Sequence, residues 1–288
     1  MEWLFYAFLT AILVSLTAIF QKGILKHEHV MEFSAVFTAM MAVISLIFIP
    51  KVNFAILNFK LLLIVYFFSW LSTLGFYFIM KALRHMEVSS LTPLFNLEVL
   101  FVAFLALVFL GESLRPINWF GIFILVLGTY FLQTNKLKNY LIFFKNIRKR
   151  YFFLILLSLS LYSFSSLADR YILSNFLDPI TYLFLITIFI GVNFFLLHSL
   201  FHDGFAGIKK GFAANWKLVV AIAIIAFAAH YVQFLAVSMA DLALVIGIKR
   251  LSSLFSVLLG GELFHERNLV HKLIACLFML IGAYFIII

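Results

Sequence analysis

Lys249 and Arg250 stand side by side inside an apolar run from Leu242 to Phe264. A buried cation needs either a partner or water. Steps of three and four from Lys249 reach Ser252, Ser253, Ser256 and Gly260, one small and polar stripe, whereas Leu251, Leu254, Val257 and Leu258 fall on other faces. Two readings are open. Either the stripe lines a cavity in which the cations receive a carboxylate or phosphate, or Lys249 snorkels to an interface about 10 Å away and the small residues let helices pack closely. On the first reading Arg250→Ala weakens binding and spares folded yield. Arg250 needs a buried partner on either.

A second polar stretch holds Ser89, Thr92, Pro93 and Asn96 at helical spacing, with Glu98 about 200° around the helix from Asn96. Glu98 is a candidate ion-pair partner for Arg250, a proton site, or a structural carboxylate. Lys22 follows Gln21, and Arg170 follows Asp169, at the ends of two further apolar runs. Asp169 and Arg170 read as a pair that neutralises itself at a gate, or as interfacial flanks. Tyr77, His230 and Tyr231 suit a cavity that binds a small molecule by hydrogen bonds and ring contacts, although tyrosine also anchors membrane interfaces. Glu112 and Glu266 open short connections, where an acid favours the next helix N-terminus. His198 and His202 stand four apart beside Asp203 but have no third ligand, so no metal site is expected. With no HExxH, phosphate-binding loop or nucleophile elbow, the chain resembles neither an ATP-driven pump nor a known type of membrane enzyme, and no cofactor is expected.

The elements that carry these residues are set by the solvent. Of 288 residues 65% are hydrophobic and 11% charged, too apolar for a water-soluble core to hide. The net charge of +9 gathers in residues that punctuate apolar runs, which fits membrane loops and argues against nucleic acid. The single Cys276 excludes an internal disulfide. A ruler of about 20 apolar residues gives ten spans, near 3–21, 32–49, 61–80, 88–110, 116–133, 151–168, 179–200, 217–237, 242–264 and 269–288. The first lacks a basic n-region and a small-residue cleavage site, so it reads as a retained span. The connection 134–150 carries six basic residues and no acid, and 201–216 reads as a segment along the interface.

Sliding the chain by 154 residues aligns spans four and five with nine and ten. Tyr77/Tyr231, Glu112/Glu266 and "GTYF"/"GAYF" coincide, Gly247 falls on Pro93, and Arg250 falls on Asn96. A shift of 148 lays "QKGIL" (21–25) on "DRYIL" (169–173). The expected fold is therefore an all-α integral membrane protein of ten transmembrane helices in two five-helix repeats, 1–133 and 151–288, joined by the basic loop 134–150. An odd span number inverts the second repeat, an arrangement characteristic of secondary transporters, and Gly or Pro breaks such as Pro93 and Gly247 at matching repeat positions point to their sites.

The segment "ALRHMEVSSLTPLFNLEVLFVAFLALVFLGE" (82–112) resembles the fourth-span signature of EamA-type proteins of the drug/metabolite transporter superfamily, and "IKRLSSLFSVLLG" (248–260) resembles the family variant with Lys-Arg. The family's Glu-Pro pair is Glu98-Val99 here, and His265 rather than Gly precedes Glu266. The resemblance implies a non-ATP carrier of a small polar metabolite, an exporter of amino-acid-like or related organic solutes, in the plasma membrane and most simply a prokaryotic inner membrane. A flippase for a lipid-linked substrate or a membrane-embedded enzyme is the alternative. The expected partners are the solute and the bilayer, as monomer or homodimer. Orientation is contested: one set of connections holds 15 Lys and Arg, and the other holds only Lys51, Lys60, Arg115 and Arg170. The positive-inside rule thus puts both termini outside, whereas the resemblance puts them in the cytoplasm.

Overall fold

The computed structural model describes residues 2–86, 91–133, 149–201, 205–263 and 269–287, and every regular element among them is helical. In chain order these are α1 (Glu2–Leu25), α2 (Val30–Leu46), α3 (Phe59–His85), α4 (Leu97–Leu105), α5 (Pro116–Gln133), α6 (Lys149–Asn175), α7 (Pro179–Phe201), α8 (Phe205–Met239), α9 (Leu242–Lys249), α10 (Ser252–Leu263) and α11 (Leu269–Ile287). A 3-10 turn, Thr92–Asn96, leads into α4, and a π turn, Ala106–Leu110, leaves it. Five helices among the described residues are long and apolar enough to cross a membrane: Glu2–Leu25, Phe59–His85, Arg150–Asn175, Pro179–Leu200 and Trp216–Met239. The other expected spans appear as shorter or interrupted apolar helices. The segment read as interfacial differs: residues from 205 onward are continuous with α8.

Local chemistry sets the ends. Asn58 Oδ1 accepts from Leu61 N at 2.8 Å to cap α3, and Asp178 Oδ2 accepts from Thr181 N at 3.0 Å ahead of α7, whose first residue is Pro179. Gly111 ends the π turn at φ 68°, a left-handed conformation that a side chain resists.

The distribution of polarity is that of a protein in lipid. Thr10, Ser15, Ser34, Ser69, Thr73, Ser158 and Asn193 are buried, while Phe5, Phe67, Phe104, Phe123 and Phe153 are exposed. Buried hydroxyls serve as glue between helices, where apolar packing gains nothing over lipid tails. Asn193 Nδ2 donates to Ser69 Oγ at 2.8 Å, Ser158 Oγ to Gly75 O at 2.6 Å, and Ser72 and Ser165 hydroxyls meet at 2.6 Å.

The main helix contacts run between the two halves of the chain: α1 against α8, α3 against α6, α2 against α7, and α5 against α11. Glycine makes the last contact close. A Cβ on Gly282 would lie 2.5 Å from Leu125 N, and one on Gly121 would lie 2.7 Å from Gly282 O. Asn118 Nδ2 donates across the seam to Ile286 O at 3.1 Å.

Candidate functional site

Two helix interruptions, one from each half, face each other. The 3-10 turn Thr92–Asn96 begins α4, and the break between Lys249 and Ser252 separates α9 from α10. Asn96 Nδ2 donates to Ser253 Oγ at 3.2 Å, and Ser253 Oγ donates to Arg250 O at 2.8 Å. Two residues on, Glu98 makes an ion pair with Arg250; the side chains are 3% and 8% exposed. Asn96 and Glu98 reach different residues of the facing break, Ser253 and Arg250. Both therefore meet the α9–α10 junction.

The ion pair borders a cavity of about 240 Å³ reached by α1, α2, α3, α6, α7 and α8 together with Leu91, Phe95, Glu98, Lys249 and Arg250. Lys249 does not snorkel: it is buried, lines the cavity and donates from Nζ to Gln233 Oε1 at 3.3 Å. The Arg250 guanidinium lies 5.6 Å from the Phe95 ring, and its Nε has no hydrogen-bond partner among the described residues. Asp169 lines the cavity too, where Oδ1 accepts from Tyr182 OH at 2.5 Å. His230 is exposed and lines the cavity; its Nδ1 meets Ala226 O at 2.7 Å, so Nδ1 carries the proton and Nε2 is left as an acceptor in the neutral ring. Phe37, Phe76, Phe95, Phe234, Met41 and Met80 supply apolar wall. Two acids, two cations and this wall can hold a small solute that carries charge at one end and apolar surface at the other.

Other sequence candidates stand elsewhere. Tyr77 and Tyr231 are each one residue off a cavity-lining stripe, set by Ser72, Phe76 and Met80 on α3 and by Ala226, His230 and Gln233 on α8, so they turn about 100° away. Lys81 Nζ lies 5.4 Å from the Tyr77 ring. Ser253 and Ser256 are buried outside the cavity lining. Gly247 lies within α9, short of the break, and a Cβ there would meet Ile286 Cδ1 at 3.0 Å, so it serves close packing. Pro93 stands in the 3-10 turn; the side chains of Thr92 and Pro93, and all of Ser89, lie outside the described residues. So do His202, Asp203, Glu266 and 134–148. No group of three His, Cys, Asp or Glu that could hold a metal occurs among the described residues.

Asp169 and Arg170 do not neutralise each other. Adjacent helical residues point about 100° apart. Arg170 Nε instead bonds Glu112 Oε1 at 2.8 Å and Nη1 donates to Val237 O at 2.6 Å, while Glu112 Oε2 accepts from Leu242 N at 2.8 Å. Glu112 thus latches α6 to the start of α9. At the end of α1, Lys22 Nζ donates to the carbonyls of Leu83 at 2.7 Å and Met86 at 2.6 Å. Sequence spacing missed Gln233 and Gln21 among the lining residues, and Tyr182, which bonds the lining Asp169 from α7. The one signal for Tyr182 was an unexplained acid, Asp169, on the preceding run.

Residues 1–134 match the EamA-like transporter family. That family is one of membrane transporters, and five described helices of this chain are long and apolar enough to cross a membrane. No curated protein matches the chain. Among solved structures, one crystal structure named only as that of a protein has a TM-score of 0.70 at 16% identity, covering 96% of this chain and 95% of that chain. The likeness establishes a shared fold.

Proposed function

We propose that this EamA-type chain is a secondary transporter that exports a small amino-acid-like or related organic solute across a prokaryotic cytoplasmic membrane. It does so by alternating access between two inverted five-helix repeats, 1–133 and 151–288. The observation that carries this reading is the cavity formed where the interrupted fourth and ninth spans meet, with Lys249 and Arg250 on its wall. Broken helices at matching points of two repeats are where carriers of this kind hold their solutes. Helix pairing supports the repeats. A twofold that exchanges spans one and six, and three and eight, turns the α1–α8 contact into α6–α3, and it maps α2–α7 and α5–α11 onto themselves.

In the site, Arg250 and Lys249 receive the solute's carboxylate. Glu98 holds Arg250 while the site is empty and yields it on binding. Asn96 positions the α10 start through Ser253, and His230 offers an acceptor. The test is solute counterflow in proteoliposomes, with a mixture of amino acids and related organic acids on both sides and labelled tracer on one. Exchange of an unmodified solute is expected, and Lys249→Ala should slow it. A chemically altered product, or activity only toward a lipid-linked substrate, would replace this reading with the enzyme or flippase alternative.

A further inference from the structure

Two buried polar atoms where the broken helices meet go unanswered, and the inference drawn from them rests on the transport reading above. Asn96 Oδ1 and Arg250 Nε have no hydrogen-bond partner among the described residues, although both side chains are buried. A buried donor or acceptor left unmet carries its full desolvation penalty. The surroundings fix which way the amide points. Ser253 Oγ gives its one proton to Arg250 O at 2.8 Å, so toward Asn96, at 3.2 Å, it can only accept. That contact takes Nδ2 and leaves Oδ1 over. The two unmet atoms are complementary, one acceptor and one donor, and they belong to one place. Asn96 lies in the chain between Phe95, whose ring centre is 5.6 Å from the guanidinium, and Glu98, which pairs with it. Asn96 and Arg250 also coincide under the shift of 154, so the proposed twofold sets them opposite each other where the spans meet.

We infer that Asn96 Oδ1 is the second seat of Arg250, the acceptor that takes Nε–H when the solute's carboxylate draws the guanidinium toward the cavity. A guanidinium carries five N–H donors in a planar fork, so a bond from Nε fixes the plane and leaves both terminal nitrogens for the carboxylate. In the empty site Glu98 holds the terminal Nη2, and neither unmet atom is satisfied. In the loaded site both are. Glu98 keeps the cation as a neighbour, so the turn strands no charge. A ligand shifts an equilibrium only by interactions that differ between its two states, and this bond exists in one of them. Asn96 therefore acts through Arg250, as a positioning residue, and the solute does not touch it. That agrees with its place behind the cavity wall, which Phe95, Glu98 and Arg250 reach and Asn96 does not.

The test follows the Arg250 Nε–H proton and the solute affinity together. In the detergent-solubilised chain carrying isotope-labelled arginine, the Arg250 Nε–H magnetic-resonance signal is assigned by its contact with the Phe95 ring protons. Adding an equimolar mixture of the standard amino acids should move that signal downfield in the native chain and leave it in place in Asn96→Leu. Asn96→Leu should also raise the mixture concentration that half-saturates counterflow by on the order of tenfold, the size of one charge-assisted hydrogen bond. The decisive comparison repeats Asn96→Leu in an Arg250→Lys background, which has no Nε–H: the further rise should vanish there. An equal rise in both backgrounds would mean that Asn96 acts only on the α10 start, and it overturns the inference. So does a native Nε–H signal indifferent to the amino acids, the result that a water bridging the two atoms would give. Should Asn96→Leu lose its fold, or Arg250→Lys its transport, the native signal alone decides: moved downfield it supports the second seat, unmoved it overturns it. A native chain with neither counterflow nor any spectral response removes the transport reading itself, while counterflow with an unmoved Nε–H removes only the role of Asn96.

Discussion

Cutting one partner of the Arg250–Glu98 pair should unfold the protein more readily than cutting both. The side chains are 8% and 3% exposed, so neither charge can reach water when the other is gone. Two charges about 4 Å apart at an effective dielectric near 20 attract by about 4 kcal/mol, and breaking a buried pair by removing one member costs about 3–5 kcal/mol. Arg250→Met leaves the Glu98 carboxylate stranded, and Glu98→Leu leaves a guanidinium whose remaining side-chain contact among the described residues is the Phe95 ring. Each should lower the unfolding midpoint in detergent by on the order of 10 °C. The double variant removes both charges and should recover most of that loss, with a residue of about 1 kcal/mol for the lost cation–ring contact.

Transport separates the roles. The double variant should be folded yet fail in counterflow, because Lys249 alone cannot reproduce a planar guanidinium's two-point grip on a carboxylate. Glu98→Gln, which keeps an acceptor for Arg250, should cost less stability than Glu98→Leu. Additive losses in the double variant would mean that the pair is not energetically coupled, and counterflow at the native rate would mean that Arg250 does not touch the solute. The sequence alone suggested that Arg250→Ala would spare folded yield. The enclosed ion pair predicts the opposite, a loss of folded yield, since truncation strands Glu98.

Two further outcomes follow from particular contacts. Gly282→Val places a Cβ 2.5 Å from Leu125 N and should abolish a folded, monodisperse peak on size exclusion, while Gly23→Ala, with nothing within 4 Å of the added carbon, should behave as native. Glu112→Gln weakens the link from Arg170 to α9; a cysteine at Ser166, on the cavity wall, should then label several-fold faster with an impermeant maleimide from one side only, in a Cys276→Ser background, and unchanged labelling would remove the latch role.

How much of this was legible in the sequence depends on range. Apolar runs located the helices, and Lys249 does line the cavity. The stripe drawn from it through Ser253 and Ser256 does not, because the helix breaks after Lys249 and period 3.6 fixes a shared face only within one unbroken helix. The same logic explains the misses. Tyr77 and Tyr231 coincide under the repeat shift, but coincidence is blind to a one-residue rotation off the lining stripe. Gly247 read as a helix break in the sequence, whereas it lies within α9 and its missing side chain admits Ile286. The helix through 205–215 was hidden by polar residues such as Lys209 and Lys210, which interrupt hydropathy without interrupting backbone hydrogen bonding. Partners across the chain were beyond reach. Glu112 and Arg170 each looked locally satisfied, and only tertiary packing brings them together over 58 residues.

The clamps at the helix ends carry the repeat argument one step past periodicity. Lys22 and Arg170 coincide under the shift of 148, and their acceptors, Leu83 and Val237, coincide under the shift of 154. Lys22 Nζ bonds Leu83 O at 2.7 Å, and Arg170 Nη1 bonds Val237 O at 2.6 Å. Apolar composition cannot generate this agreement, because it concerns which cation meets which carbonyl between two different helices. The clamps also differ: Arg170 adds the Glu112 carboxylate, which in turn holds the start of α9. Glu266, the sequence equivalent of Glu112, lies outside the described residues. Under the proposed inverted repeats, these ends lie on opposite sides of the membrane. A carrier that opens to one side at a time needs related but unequal clamps, since two equally tight ends would hold the cavity shut to both.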